Sequence, residues 1–310
     1  MVEHPSCDAE PGRPLLTFAV DHSWRHKTAD TLTLLVERGA DPNAPDEDGM
    51  SPLHHAATIG SFPGASERAT RILIAAGAAV DARDSEGRTP LLCAARTIAD
   101  HTIAELLQSK ADPNARSNGG STPLVAAIAE FSAMVRGGMD PFEASSYQRE
   151  RVPRLLAAGA EPNLATPDGE TPLSIALQQR GYPEEMIVAL LDAGADASGK
   201  VSHATGKIPY IAFAYLFKRS EELFRKLMDR GGDMSAPVPP LDNLSMWEVL
   251  ERKRPELAAA LRAPARGRAK SGGKAKRLGT KTKTKTKTKT KTKTKTKTKT
   301  KTKTKTKTKT

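Results

Sequence analysis

Six times along this chain a proline sits in a similar short phrase, usually a small polar residue, Pro and then Leu. The six are Arg13-Pro14-Leu15, Ser51-Pro52-Leu53, Thr89-Pro90-Leu91, Thr122-Pro123-Leu124, Thr171-Pro172-Leu173 and a weaker Ile208-Pro209-Tyr210. The prolines stand 38, 38, 33, 49 and 37 residues apart. A second phrase alternates with the first: Gly39-Ala40-Asp41-Pro42-Asn43, Gly77-Ala78-Ala79-Val80-Asp81, Lys110-Ala111-Asp112-Pro113-Asn114, Gly159-Ala160-Glu161-Pro162-Asn163, Gly194-Ala195-Asp196 and Gly231-Gly232-Asp233. Self-similarity at this period means that each unit is one small supersecondary element. Such an element cannot bury its apolar side alone, so the units must stack.

The marks within a unit have physical meanings. Ser or Thr before Pro starts a helix: the hydroxyl caps free amides, and Pro at the first helical position forfeits no hydrogen bond. Small residues follow, as in His54-His55-Ala56-Ala57 and Leu92-Cys93-Ala94-Ala95, and let neighbouring helices approach closely. A second amphipathic helix comes next, as in Ile103-Ala104-Glu105-Leu106-Leu107, and usually ends at Gly, which takes the left-handed cap cheaply. Asp-Pro-Asn and tips such as Asp48-Gly49 or Glu86-Gly87 then turn the chain back.

With both elements in alternation, the unit resembles the ankyrin repeat, whose pattern is D-x-x-G-x-T-P-L-H-x-A-A, a second helix with paired leucines, and G-A-D-x-N. Residues 46–60 match it best, through Ser51-Pro52-Leu53-His54, Ala56-Ala57 and Gly60. The resemblance covers roughly residues 11–262. It implies an all-α ankyrin solenoid of stacked helix-turn-helix units with β-turn fingers. The expected organisation is an N-terminal stretch 1–10, a repeat domain 11–263 of about six repeats plus a C-terminal cap, and a disordered basic tail 264–310.

The departures carry expectations of their own. Most units exceed the family's roughly 33 residues, and the excess falls at Asp21–Ala29, Ser61–Glu67 and above all Val135–Arg149. The last is read as a loop holding Met139, Phe142 and Tyr147, beside Met134; it either contacts a partner or folds back over the stack. Lys110 replaces the capping Gly in the third unit, and Phe18 and Phe213 replace small residues near the ends. Ser245 to Ala263, with Trp247, Val249, Leu250, Leu257 and Leu261 at helical spacing, reads as a C-terminal cap.

Charge divides the chain in two. Residues 264–310 hold 21 of the 48 Lys and Arg and none of the 36 acids, ending in fifteen Lys-Thr pairs from Lys281. The preceding 263 residues therefore carry 27 basic and 36 acidic groups, a balance of −9. The tail has nothing with which to form a core. Its natural chemistry is sequence-independent contact with polyanions, nucleic acid or anionic lipid, through Arg266, Arg268, Lys270, Lys274, Lys276, Arg277 and Lys281. The other readings are that the tail lies on its own acidic body or is an expansion without function. Two cysteines make no disulfide framework, and no stretch resembles a signal peptide or membrane span, so a reducing, cytoplasmic setting is expected.

No candidate for catalysis assembles. His22 and His26 have the spacing of helix-borne metal ligands but no third ligand. Cys93 lies among small residues with no activating neighbour, and Cys7 stands in the N-terminal stretch. Gly119-Gly120 and Gly137-Gly138 lack a following Lys-Ser/Thr, and Asp46-Glu47-Asp48-Gly49 lacks the spaced ligands of a calcium loop. No catalytic residue, metal or cofactor is expected. The resemblance instead implies a monomeric scaffold that binds another protein through its concave face. Carried over by position, the finger residues are Met50, Arg88, Ser121, Glu170 and Lys207. The inner-helix residues matching His54 are Leu92, Val125, Ser174 and Ile211, with His55 beside them. His54 itself is assigned to supporting the loop by hydrogen bonding.

Overall fold

The computed structural model describes residues 14–21, 28–59, 63–97, 99–203 and 206–263. The N-terminal stretch, Cys7, His22, His26 and every tail residue named above lie outside them. Six helix pairs follow one another: α1 (Leu15–Asp21) and α2 (Thr28–Glu37), α3 (Pro52–Thr58) and α4 (Pro63–Ala75), α5 (Pro90–Ala95) and α6 (Asp100–Gln108), α7 (Pro123–Arg136) and α8 (Pro141–Ala157), α9 (Pro172–Gln178) and α10 (Glu184–Asp192), and α11 (Tyr210–Leu216) and α12 (Glu221–Asp229). The last pair, α13 (Met246–Lys253) and α14 (Pro255–Arg262), closes the described chain, with Pro255 separating two helices in the stretch read from sequence as one cap. The first helices of the six repeat pairs pack in a row, and their second helices form another row behind them, which α14 extends.

Most first helices have six or seven residues, too short to persist alone, so packing must hold them. Thr89, Thr122 and Thr171 cap α5, α7 and α9 by accepting the amides of Leu92, Val125 and Ser174 at 3.3, 3.3 and 3.2 Å. Behind the caps, Leu53, Ala56, Ala57, Leu91, Ala94 and Ala95 are buried. The second row contributes Leu73, Ile103, Leu106, Val152, Leu155, Ile187 and Leu190. Each such aliphatic side chain is worth about 2 kcal/mol when removed from water.

Polar links fix the register from unit to unit. The Asn43 amide donates to the Gly77 carbonyl (3.2 Å) and accepts from the Ala79 N–H (2.7 Å). Asn114 does the same to Gly159 and Glu161, and Asn163 to Gly194 and Asp196. Asp81 breaks the series: it accepts from the Asp112 N–H at 3.0 Å but has no amide proton for the Lys110 carbonyl. Lys110 itself is forced to φ +65°, where the matching Gly39, Gly77, Gly159 and Gly194 sit without steric cost.

The structure corrects one expectation in the fourth unit. Val135–Arg149 is not a loop; its residues lengthen both helices, to 14 residues in α7 and 17 in α8. Asp140 caps α8 by accepting from Phe142 N–H at 2.8 Å, which leaves only a short turn at Gly137–Met139. Met134 is buried and Met139 and Tyr147 pack against the core, whereas Phe142 stays 75% exposed. The lengthened α8 also brings in Arg151. Its guanidinium is fully buried, paired with Asp100 of α6 at 2.9 Å and bonded to the Ala95 carbonyl of α5 at 3.3 Å. One charged side chain thus ties the third unit to the fourth.

Two short hairpins complete the fold. β1 (Lys200–His203) pairs antiparallel with β2 (Gly206–Pro209), so the finger before α11 is a ribbon; β3 (Pro237–Val238) pairs with β4 (Leu244–Ser245). Phe213 is accommodated by burial and by stacking on Phe217 with ring centroids 4.6 Å apart.

The joint at Asp81 and Lys110 should be improvable. Lys110→Gly relieves left-handed strain and Asp81→Asn restores the second amide bond, each worth about 1 kcal/mol. The double variant is expected to raise the urea midpoint with an unchanged m-value. A lower midpoint would contradict this account of the joint.

Candidate functional site

The fingers and the exposed side of the first helices form one face, and the fingers are built alike. Asp46 Oδ1 accepts the N–H groups of Asp48 and Met50 at 3.0 and 2.9 Å, and Asp84 Oδ1 accepts those of Glu86 and Arg88 at 3.0 and 2.8 Å. Ser117 and Thr166 do this with hydroxyls, accepting from Ser121 and Glu170. Adjacent fingers are joined through the backbone: Ser85 N–H donates to Asp48 C=O (3.0 Å) and Asn118 N–H to Glu86 C=O (2.8 Å). Arg83 and Arg116 each reach forward to the next unit, donating to the carbonyls of Arg116 (2.7 Å) and Ala165 (3.0 Å). The fingers at 46–50, 84–88, 117–121 and 166–170 thus form a cross-linked row rather than four independent loops.

His54 and His55 are neighbours with opposite chemistry. His54 Nδ1 accepts the Ser51 N–H at 3.1 Å, so the ring proton lies on Nε2, which donates to the Arg88 carbonyl of the next unit at 2.9 Å. Burial holds its pKa below 6.5. His55 presents Nδ1 to Asp21 (3.1 Å) and Nε2 to Asp46 (2.6 Å). Burial alone would lower its pKa, but the two carboxylates raise it above 6.5. The Asp46 carboxyl is held low despite its burial, by His55 and by the finger amides. The two acids sit on different ring nitrogens, and among the described residues no group of three or more His, Cys, Asp or Glu could hold a metal. The Cys93 thiol is buried and pushed up to about 11, so it stays protonated.

The finger residues named from sequence remain accessible: Met50, Arg88, Ser121 and Glu170 are half-buried and Lys207 is exposed. Arg88 is pinned, with Nε on Asp84 at 2.6 Å and an Nη on Glu86 at 3.1 Å. Glu170 accepts from Gln178 at 2.9 Å. The inner-helix residues require correction. His55, Leu92, Val125, Ser174 and Ile211 are all buried and offer a partner almost no surface. Ser174 Oγ, for example, accepts the Thr171 N–H at 2.9 Å, while Leu92 is among the residues lining the groove described next.

What the face does contain is a groove of about 620 Å³ between the fingers at Ser85–Arg88 and Ser117–Ser121 and the exposed sides of α5 and α7. Its lining includes Arg96, Ala126, Ala129, Glu130, Ala133 and Arg136. Sequence reasoning missed these residues because it carried over only the finger tips and the inner-helix position matching His54, and for Arg136 because it read Val135–Arg149 as a loop. A signal was present in the helical spacing of Leu124, Ile128, Phe131 and Met134, all buried, which turns Ala129 and Ala133 outward.

Residues 16–117 match the family model of ankyrin repeats, in three copies. Human neurogenic locus notch homolog protein 2 is 36% identical over 107 residues, 34% of this chain and 4% of that protein. Human notch homolog protein 4 is 41% identical over 78 residues, 25% of this chain and 4% of that protein. Human notch homolog protein 1 is 31% identical over 155 residues, 49% of this chain and 5% of that protein. With the alternating helix rows and linked fingers, these matches identify residues 16–117 as ankyrin repeats within an all-α solenoid. Ankyrin repeats are in general protein–protein interaction modules. This chain covers no more than 5% of the length of these relatives.

The histidine pair predicts a pH dependence. A raised folded pKa means that the His55 bridge stabilises fully below about 6.5 and is lost as pH rises through the folded value. The depressed His54 works the other way, costing stability as pH falls below about 6.5. In urea titrations from pH 5 to 9, the stability gap between wild type and His55→Gln should be widest at low pH and shrink on the alkaline side. A gap constant with pH would rule out the bridge.

Proposed function

We propose that this chain is a non-catalytic scaffold that holds a partner protein on the face made by its fingers and first helices. The observation that carries this reading is the open groove between α5 and α7, bounded by fingers that are hydrogen-bonded to one another and so lose little freedom on binding. The accessible finger residues differ from unit to unit, as Met50, Arg88, Ser121, Glu170 and Lys207, which is how a regular scaffold acquires specificity. Nothing in the groove pairs a nucleophile with a base and an orienting group. Ala129→Trp fills the groove from an exposed position and leaves the core untouched. It should abolish capture of partners by the full chain while its far-UV circular dichroism and melting stay as in wild type. Undiminished capture would defeat this reading.

A second reading comes from composition. With 21 basic and no acidic residues, 264–310 suits polyanions. If the tail acts this way, truncation after Ala263 abolishes retention on heparin, and retention by the full chain falls steeply with salt. Equal retention by the truncated chain would exclude it.

A further inference from the structure

The first helices α3, α5, α9 and α11 end after six or seven residues, whereas α7 runs for 14. Its second half therefore lengthens one wall of the groove. Ala129 and Ala133, four residues apart, are exposed along one face of α7, with Ala126 buried at its start and Glu130 and Arg136 beside them in the groove. From Ala126 to Arg136 this face is about 15 Å long at the helical rise. It is narrow enough in side-chain bulk for another backbone to lie close against it.

Charge along the groove is uneven. Arg88, at the finger end, is neutralised by Asp84 and Glu86. Arg96, at the end of α5, and Arg136, at the end of α7, are both exposed, and neither forms an ion pair among the described residues. Other arginines do find carboxylates: Arg71 on Glu67 and Glu105, Arg149 on Glu185, Arg225 on Glu221. Glu130 lies between the two free guanidinia in sequence, yet it stands within ion-pair distance of neither. Its burial raises its pKa, against the weaker pull of Arg151 and Arg96. The groove thus carries two guanidinia without ion pairs, beside the Glu130 carboxylate, on a segment, residues 1–263, whose balance is −9.

We infer that this groove takes an acidic segment of a partner protein, its backbone against the alanine face of α7 and its carboxylates on Arg96 and Arg136. The inference rests on the reading of this face as the binding surface. A guanidinium fork and a carboxylate match geometrically, and such pairs set partner choice and register more than raw affinity. A nucleic acid suits the groove less well, because no aromatic side chain lines it on which a base could stack.

The test is a subtractive selection of random twelve-residue phage-displayed peptides on the full chain. The library is first depleted on the full-length Ala129→Trp variant, which carries the same basic tail and so removes peptides that bind there. Peptides surviving depletion should be rich in Asp and Glu, and Arg96→Glu with Arg136→Glu should weaken them about tenfold at unchanged melting temperature. Survivors with no excess of acids, or undiminished by the double reversal, would overturn the acidic occupant and leave the groove reading intact. No survivors at all would overturn the groove reading and this inference with it. Binding of an oligothymidylate that depends on Arg96 and Arg136 would also count against a protein segment as occupant.

Discussion

The structure depends on mutual burial between successive helix pairs. No first helix of six or seven residues is stable in water by itself, and none has a core within its own unit. Leu53, Leu91, Leu124 and Leu173 are buried because the preceding and following units supply the other side of the interface. Stability in such a stack is close to a sum of unit terms and nearest-neighbour terms. A weak joint is therefore a local property with consequences for the whole array.

Hydrophobic burial is non-directional, and on its own it would allow the units to slide. Direction comes from the polar links. The Asn43, Asn114 and Asn163 amides, the forward-reaching Arg83 and Arg116, and the His54 bond to the Arg88 carbonyl each engage a particular atom of the next unit. Where the chain departs from this scheme, at Asp81 and Lys110, one link is lost and the backbone is strained. Buried Arg151, reaching from α8 to Asp100 and the Ala95 carbonyl, adds an ionic tie between the third and fourth units, a joint that Asn114 also spans.

The same fourth unit reshapes the candidate binding face. Lengthening α7 and α8 adds a new stretch of exposed helix, Ala129 to Arg136, to a surface otherwise made of short helices and fingers. Rigid fingers and an elongated wall together give the groove a defined floor and ends. The buried inner-helix residue Val125 stands behind that floor, whereas Leu92 is part of it.

The repeat itself was legible from residues, because Pro at the first helical turn, small residues after it, and Gly at the second helix's end are each dictated by local backbone physics. So were the caps, the role of His54 and the atypical character of Lys110. The groove was not. Whether residues 135–149 form a loop or two helical extensions depends on contacts across units, such as that of Phe131 with Tyr182, whose rings meet edge-on with centroids 5.2 Å apart. Whether Leu92 faces a partner or the core depends on helix rotation within the stack. Local sequence sets which segments become helices, through short-range sterics and capping. Only packing between segments distant in the chain sets how long each helix runs and which side it shows to solvent, since that choice is made by burial against neighbours.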